Sequence, residues 1–240
     1  MPTRRRDWCN DPSLYFRKED ASRIFTLHRE IANEVYNSGA QKILDYGSGN
    51  GKILESFPSI NGLEVTLHDP AADAMNAARG KFGGYSNIRF ETDCDKLPPA
   101  YYDAVIFCNV VMVIKTEDEL KEVFSSLKRV TRPGGKLYAG LTHPCFLDRN
   151  FATYGNDYTR GSKPFDYFDN GAPYKVYMAQ SEDPIVITDF FWNLSLLTNL
   201  FLTSGFTLLG IKELHDVEEN CYPPFMILKL GSSAMPPGGI

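Results

Sequence analysis

The stretch from Ile43 to Phe57, Ile-Leu-Asp-Tyr-Gly-Ser-Gly-Asn-Gly-Lys-Ile-Leu-Glu-Ser-Phe, constrains this chain more than any other. Ile43 and Leu44 end a short apolar run of the kind found in a buried strand. Asp45 then leads into a loop with glycines at 47, 49 and 51, and Ile53, Leu54 and Phe57 follow at helical spacing. Strand, glycine loop and helix in that order let backbone come close to a flat or polar cofactor, because each missing Cβ removes an obstruction. The spacing is G-x-G-x-G. It is neither the G-x-G-x-x-G of dinucleotide folds nor the G-x-x-x-x-G-K-[ST] phosphate loop. Taken alone, the triplet fits a tight turn without a ligand equally well.

The rest of the chain supplies the context. A helix is predicted over residues 19–38 with Gly39 as its stop, and the first strand over 42–45. The glycine loop should open a helix over 51–58. Strands are predicted at 64–68, 87–91, 102–109 and 136–141, with helices at 71–81 and 117–130. The near-continuous apolar run Ala104-Val105-Ile106-Phe107 suits a strand covered on both faces. Strand and helix alternate, which argues for an α/β fold: a Rossmann-like, mostly parallel sheet with helices on both faces. Residues 144–186 break the rhythm, with many Phe and Tyr among Gly, Pro, Asp and Asn. The segment is too long for an ordinary connection and too aromatic for disorder, so an aromatic cap inserted after strand five is expected. A helix over 191–204 and strands at 206–213 and 225–230 follow. The expected organisation is an N-terminal arm (1–18), a cofactor-binding core (19–143), the cap (144–186), completion of the core sheet (187–232) and a loose tail (233–240).

Polar residues recur where the strands end. Asp45 leads the glycine loop, Asp69 ends the second strand, Asp93 follows the third and Asn109 ends the fourth. An acid at the position of Asp69 can accept from vicinal ribose hydroxyls. Asp93 can accept from the exocyclic amine of an adenine, with the Cys94 N–H beside it. Each alone is as readily a helix cap or turn residue. Four at successive strand ends point to one rim, and ligands of open parallel sheets sit beyond the carboxyl ends of the strands.

This set resembles the class I S-adenosylmethionine-dependent methyltransferases. Asp45-Tyr-Gly-Ser-Gly-Asn-Gly51 is similar to that family's D-x-G-x-G-x-G loop, and Asp69 to its ribose-binding acid. Asp93-Cys-Asp-Lys-Leu-Pro98 is similar to its stretch at the adenine, and Leu127 to Gly135 to its turn before strand five. Residues 187–195 resemble the small-molecule, type-11-like group. The resemblance implies a seven-stranded sheet whose last strand runs antiparallel, S-adenosyl-L-methionine as cofactor, and methyl transfer to O, N or C of a small-molecule acceptor. It implies a cofactor site of Asp45, Gly47, Ser48, Gly49, Asp69, Pro70, Asp93, Cys94, Asn109 and Val110. Tyr15 and Arg23 are candidates to close over the methionine carboxylate. Tyr154, Tyr158, Phe168 and Trp192 are the candidate acceptor-binding aromatics.

His143, just after strand five, is the best placed of four histidines to act as a base, or else a hydrogen-bonded turn histidine ahead of Pro144. The net charge of −5 does not favour a nucleic-acid partner. No apolar run reaches membrane-spanning length. The five scattered cysteines fit reduced thiols in a cytoplasmic protein, and no Cys or His spacing indicates a metal site. A monomer or homodimer is expected. Two alternatives stay open: a methyltransferase acting on protein or RNA, and a non-catalytic S-adenosylmethionine-binding protein on the same fold.

Overall fold

The computed structural model describes residues 21–149, 154–178, 185–214 and 222–233. The expected arm at 1–18, with Tyr15, and most of the tail at 233–240 lie outside them. The chain order is α1 (Ala21–Asn37), β1 (Lys42–Tyr46), β2 (Glu64–His68), α2 (Ala72–Phe82), β3 (Ile88–Glu91) and β4 (Tyr102–Cys108). Then come α3 (Glu117–Val130), β5 (Thr131–Thr142), β6 (Tyr154–Asn156), β7 (Pro173–Met178), β8 (Ile185–Phe190), α4 (Leu194–Thr203), β9 (Phe206–Leu214) and β10 (Phe225–Ser232).

Seven strands form one sheet in the order β3-β2-β1-β4-β5-β10-β9. β1 pairs parallel with β2 and β4, β2 with β3, and β4 with β5. Only β10 runs against its neighbours, β5 and β9. The order reverses between β1 and β4, which sets the crevice for a ligand at their carboxyl ends.

The apolar run of β4 serves both faces because side chains alternate. Val105 and Phe107 join α3 and α4 in one core, through Phe124, Leu127, Leu197 and Phe201. Ala104 and Ile106 join α1 and α2 in the other, through Leu27, Ile31, Met75 and Phe82. α3 is well specified at its start. The Thr116 hydroxyl accepts from the Glu119 N–H, and Glu117, Asp118 and Glu119 stand in the first turn.

Three details depart from the sequence-based expectation. The helix predicted at 51–58 is a short 3-10 turn, Lys52–Ser56. It starts from Gly51 at φ 75° and stops at Phe57, which the following Pro58 holds extended at φ −72°, ψ 138°. The Pro133-Gly134-Gly135 turn is absorbed into β5 as a bulge, since Tyr102 faces Thr131 while Ala104 faces Lys136. A Cβ at Gly135 would meet the Arg132 and Tyr102 carbonyl oxygens at 2.9 Å, so only glycine fits that crossing. The cap is itself a sheet, β6-β7-β8, antiparallel throughout. The expected cap boundary at 186 cuts through β8, which pairs with β7 as far as Phe190. α4 accordingly begins at Leu194, capped by the Asn193 side chain, which accepts from the Leu196 N–H.

Candidate functional site

The glycine loop is tied to the end of β2. The N–H groups of Gly47 and Ser48 both donate to the His68 carbonyl, at 2.8 and 2.9 Å. The next free amide, Gly49 N–H, donates to Asp69 Oδ2 at 2.9 Å, and Ala71 N–H to Asp69 Oδ1 at 2.9 Å. Asp69 therefore braces the loop and the start of α2 together. It is buried, which raises its carboxyl pKa, while the two amides pull it down.

The loop can follow this path because Gly47, Gly49 and Gly51 sit at φ 78°, 55° and 75°. At Gly47 space matters as much as φ. A Cβ there would overlap the Val110 side chain, which lies directly over the loop. Val110 is held there by Asn109, a non-glycine residue at φ 56° whose N–H donates to the Gly140 carbonyl at 2.9 Å. Asn is among the few side chains that tolerate this conformation.

Three side-chain oxygens in this region are sealed from solvent without a hydrogen-bond partner: Asp45 Oδ2, Ser48 Oγ and Asn109 Oδ1. They belong to the ends of β1 and β4, the two strands flanking the reversal of strand order. Buried polar atoms are nearly always satisfied, so a cluster of orphans here fits a missing polar ligand. Its polar groups would face one buried carboxyl, a hydroxyl and an amide oxygen.

Burial pushes the Asp45 carboxyl up to about 8, and the nearby Asp69 adds to the shift. Unfolded, the same group has a pKa of about 3.9. Below that value both states hold the proton. Between it and about 8 the unfolded carboxyl ionises while the buried one does not, so stability falls as pH rises through that window. Asp45→Asn removes this titration. Its stability relative to the parent should rise from about pH 5 to about pH 8, by up to ~1.4 kcal/mol per pH unit, in urea unfolding of the ligand-free protein. Parallel profiles for the two proteins would show that Asp45 is ionised in the fold.

Farther along the rim, Asp93 is exposed and caps the turn Cys94–Lys96 by accepting from the Asp95 N–H at 3.0 Å. Arg129 from α3 pins this turn from behind, donating to the carbonyls of Cys94 and Leu97 at 2.8 and 2.7 Å. Pro70 is exposed beside Asp69. Arg23 lies on α1, but its side chain is outside the described residues. On the same helix, His28 has an unpartnered Nδ1 sealed from solvent. Burial and then Lys52, in the turn after the glycine loop, lower its pKa to about 4. From the sequence, His28 is legible only as a residue on a helix face.

Near the glycine loop lies a small pocket of about 30 Å³. One side is built from strand ends: Val111 and Met112 after β4, and Leu141 and Thr142 of β5. The other comes from the cap and the entry to α4: Tyr174, Phe190, Phe191, Trp192 and Leu197. Val110 lies over Gly47 and its neighbours Val111 and Met112 line the pocket, so loop and pocket share the segment after β4.

Of the four aromatics expected at the acceptor, Trp192 lines this pocket, its indole N–H donating to the Ile114 carbonyl at 3.1 Å. Tyr158 stands behind it in the cap core, its ring 5.2 Å from that of Tyr174. Phe168 does not contribute: it is 81% exposed, because the Asp166 side chain accepts from its N–H in a turn that aims it outward. Tyr154 is in β6, its side chain outside the described residues. Tyr174, Phe190 and Met112 escaped sequence reasoning, since only the packing of the cap against the segment after β4 brings them to one pocket.

His143 takes the turn role. Its Nδ1 accepts from the Cys145 N–H at 3.3 Å, which leaves the proton on Nε2, donated to Glu213 Oε1 of β9 at 3.0 Å. Both ring nitrogens are thus engaged, and the pocket is lined by the neighbours Thr142 and Pro144 instead.

Comparison with known proteins agrees with this geometry. A family model described as a methyltransferase domain matches residues 43–135, from β1 to the bulge of β5. A non-reducing polyketide synthase, mapC, of Penicillium roqueforti is 30% identical over 121 residues, 45% of this chain and 5% of that protein. A demethylmenaquinone methyltransferase of Chlorobaculum parvum is 26% identical over 110 residues, 46% of this chain and 44% of that one. The matches thus span less than half the length of either curated relative. In fold, the chain is similar to the CcbJ methyltransferase of Streptomyces caelestis, with a TM-score of 0.68 at 14% identity, covering 95% of this chain and 98% of the other. The glycine loop and the strand-end acids thus lie within the stretch that matches a methyltransferase domain, residues 43–135, and the seven-stranded sheet shares the fold of a solved methyltransferase.

Proposed function

We propose that this chain transfers a methyl group from S-adenosylmethionine to O, N or C of a small-molecule acceptor. The observation that carries it is the juxtaposition at Val110: a glycine cradle with three orphaned buried oxygens on one side, an aromatic-walled pocket on the other. When bound, the cofactor supplies an electrophilic methyl group on a positively charged sulfur. The protein's part is then alignment and exclusion of water. Asp69 would take the ribose hydroxyls with the lone pairs its two amide bonds leave, and Asp93 and the Cys94 N–H the adenine. Asp45, Ser48 and Asn109 would satisfy the polar methionine end, with Tyr15 and Arg23 closing over its carboxylate. The relative from Chlorobaculum parvum is named for a small-molecule acceptor, which supports the same class here.

The thiols of Cys94, Cys108 and Cys145 are free, in keeping with work in a reducing cytoplasm. Among the described residues no helix is long and apolar enough to cross a membrane. The net charge of −5 supports a small molecule over a nucleic acid as partner. We take the acting species to be a monomer or homodimer.

Calorimetry with S-adenosylhomocysteine should give micromolar binding. Asp69→Ala should weaken it by about 1–3 kcal/mol, the usual loss when buried donors are left without an acceptor. Absence of heat at protein concentrations well above micromolar would refute the cofactor assignment, and an unchanged affinity in the variant would move ribose recognition elsewhere.

A further inference from the structure

We propose that His28 of α1 is a further cofactor-binding residue, its Nδ1–H donating to the α-carboxylate at the methionine end of S-adenosylmethionine. This rests on the cofactor reading above, which gives His28 no role, and adds a donor to a set of groups that mostly accept.

Two sets of contacts place the residue. At Gly140 of β5 an added Cβ would meet Ile31 Cδ1 at 2.6 Å, Cys108 Sγ at 3.0 Å and Leu27 Cδ1 at 3.3 Å. This turn of α1 therefore lies on the last residue of β4 and on Gly140, whose carbonyl holds the Asn109 N–H. From the other side, the Lys52 charge acts on the His28 ring. Lys52 directly follows Gly51, and Ile53 and Leu54 of its turn share a core with Leu27 and Ile31. His28 thus sits between the end of β4 and the exit of the glycine loop. α1 packs on β4, β5 and β10, whereas Asp69 and Asp93 follow β2 and β3 on the far side of β1. His28 therefore belongs to the methionine half of the site, not to the nucleoside half.

Within the protein this ring nitrogen has nothing to bond to. Nδ1 is sealed from solvent and unpartnered, although buried polar atoms nearly always find a partner. It is the one nitrogen among the sealed, unpartnered side-chain atoms of the described residues. The orphans across the loop are oxygens: Asp45 Oδ2, Ser48 Oγ and Asn109 Oδ1. An amide oxygen and an ionised carboxylate only accept, and a hydroxyl can do either. The cofactor's methionine end carries an ammonium and a carboxylate, so it needs acceptors for the first and a donor for the second. His28 Nδ1–H supplies that donor.

Charge decides which group goes where. Lys52 acts on His28, whereas Asp69 acts on Asp45. The positive side suits a carboxylate and the negative side an ammonium. Burial and then Lys52 also hold the His28 pKa down at about 4, so the ring is neutral at physiological pH. A neutral imidazole donates from one nitrogen only, which in the Nδ1–H tautomer is the sealed one. The bond it offers brings no second charge that would have to be stripped of water. A hydrogen bond to an ionised group is stronger than one between neutral partners, so a single donor here has a measurable effect.

The test compares S-adenosylhomocysteine with 5′-methylthioadenosine, which keeps the nucleoside and the sulfur but lacks the amino-acid end. Both are titrated by calorimetry into the full chain and its variants. His28→Leu keeps the bulk and removes the donor. It should weaken S-adenosylhomocysteine about tenfold or more and leave 5′-methylthioadenosine within about twofold of the parent. His28→Asn, whose side-chain amide stands near the place of Nδ1, should recover most of the loss. An unchanged affinity for S-adenosylhomocysteine in the leucine variant overturns the proposal. So do equal losses for the two ligands, which would mark His28 as a structural residue. Should the leucine variant not fold, nitrogen-15 NMR of the histidine rings in the parent protein decides. The His28 Nδ1 resonance should be of the protonated type and shift with S-adenosylhomocysteine but not with 5′-methylthioadenosine; the same response to both overturns the proposal. Failure of S-adenosylhomocysteine to bind the parent refutes the cofactor reading itself, and this inference falls with it.

Discussion

Gly47→Ala should abolish micromolar binding of S-adenosylhomocysteine, by about 100-fold or more, while leaving a folded protein. Two effects combine at this residue. Its φ of 78° places an alanine in the left-handed region, at about 1–2 kcal/mol. The added Cβ would also overlap the Val110 side chain, so the segment after β4 must retreat. That segment carries Asn109, with its orphaned oxygen, and Val111 and Met112 of the pocket wall. The substitution thus spoils the glycine cradle and its junction with the aromatic-lined pocket in one step. Gly62→Ala is the internal control. Gly62 has a nearly identical φ of 79°, and a Cβ there would meet nothing within 4 Å. It should show the backbone effect alone, about 1 kcal/mol in urea unfolding, with ligand affinity retained. Equal affinities for the Gly47 variant and the parent would mean that the cofactor does not lie against this loop.

The largest effect on stability is expected from Phe124→Ala. Phe124 and Phe201 are both fully buried, their rings stacked at 3.9 Å with planes 4° apart. Phe124 also meets Phe107 of β4 edge-on at 6.0 Å. One side chain therefore joins α3, α4 and the central strand. Truncation removes its own transfer free energy and leaves a cavity between two helices and a sheet, which together amount to about 3–5 kcal/mol. Against a total of roughly 5–15 kcal/mol for a domain, the urea midpoint should fall sharply. A loss below about 1 kcal/mol would show that α3 and α4 do not share this core.

Legibility in the sequence followed the range of the interactions. The Rossmann-like order was readable because each strand and helix announces itself within ten or so residues, and alternation then forces a parallel sheet. The rim was readable for a related reason: Asp45, Asp69 and Asn109 are strand-terminal residues, and parallel strands end on the same side. The helix expected after the glycine loop is only a short turn, since Ile53, Leu54 and Phe57 have helical spacing while Pro58 limits it to Lys52–Ser56. His143 could be placed at the rim, but not oriented. Only the meeting of β5 with β10, and of β10 with β9, brings Glu213 to its Nε2.

The same division runs through the function. By itself the sequence determined the glycine loop and its bracing acid, because both are written in short segments whose backbone conformation is local. The aromatic-lined pocket was decided by tertiary structure. It draws on residues near 111, 141, 174 and 191, which nothing in the local sequence relates to one another. Pairing of β7 with β8 sets Tyr174 opposite Asp189 and Phe190 opposite Pro173, so the two rings reach the pocket from opposite faces of the cap strands. A composition rich in Phe and Tyr predicts that such a cap can pack. Only the assembled tertiary structure says which rings line the pocket.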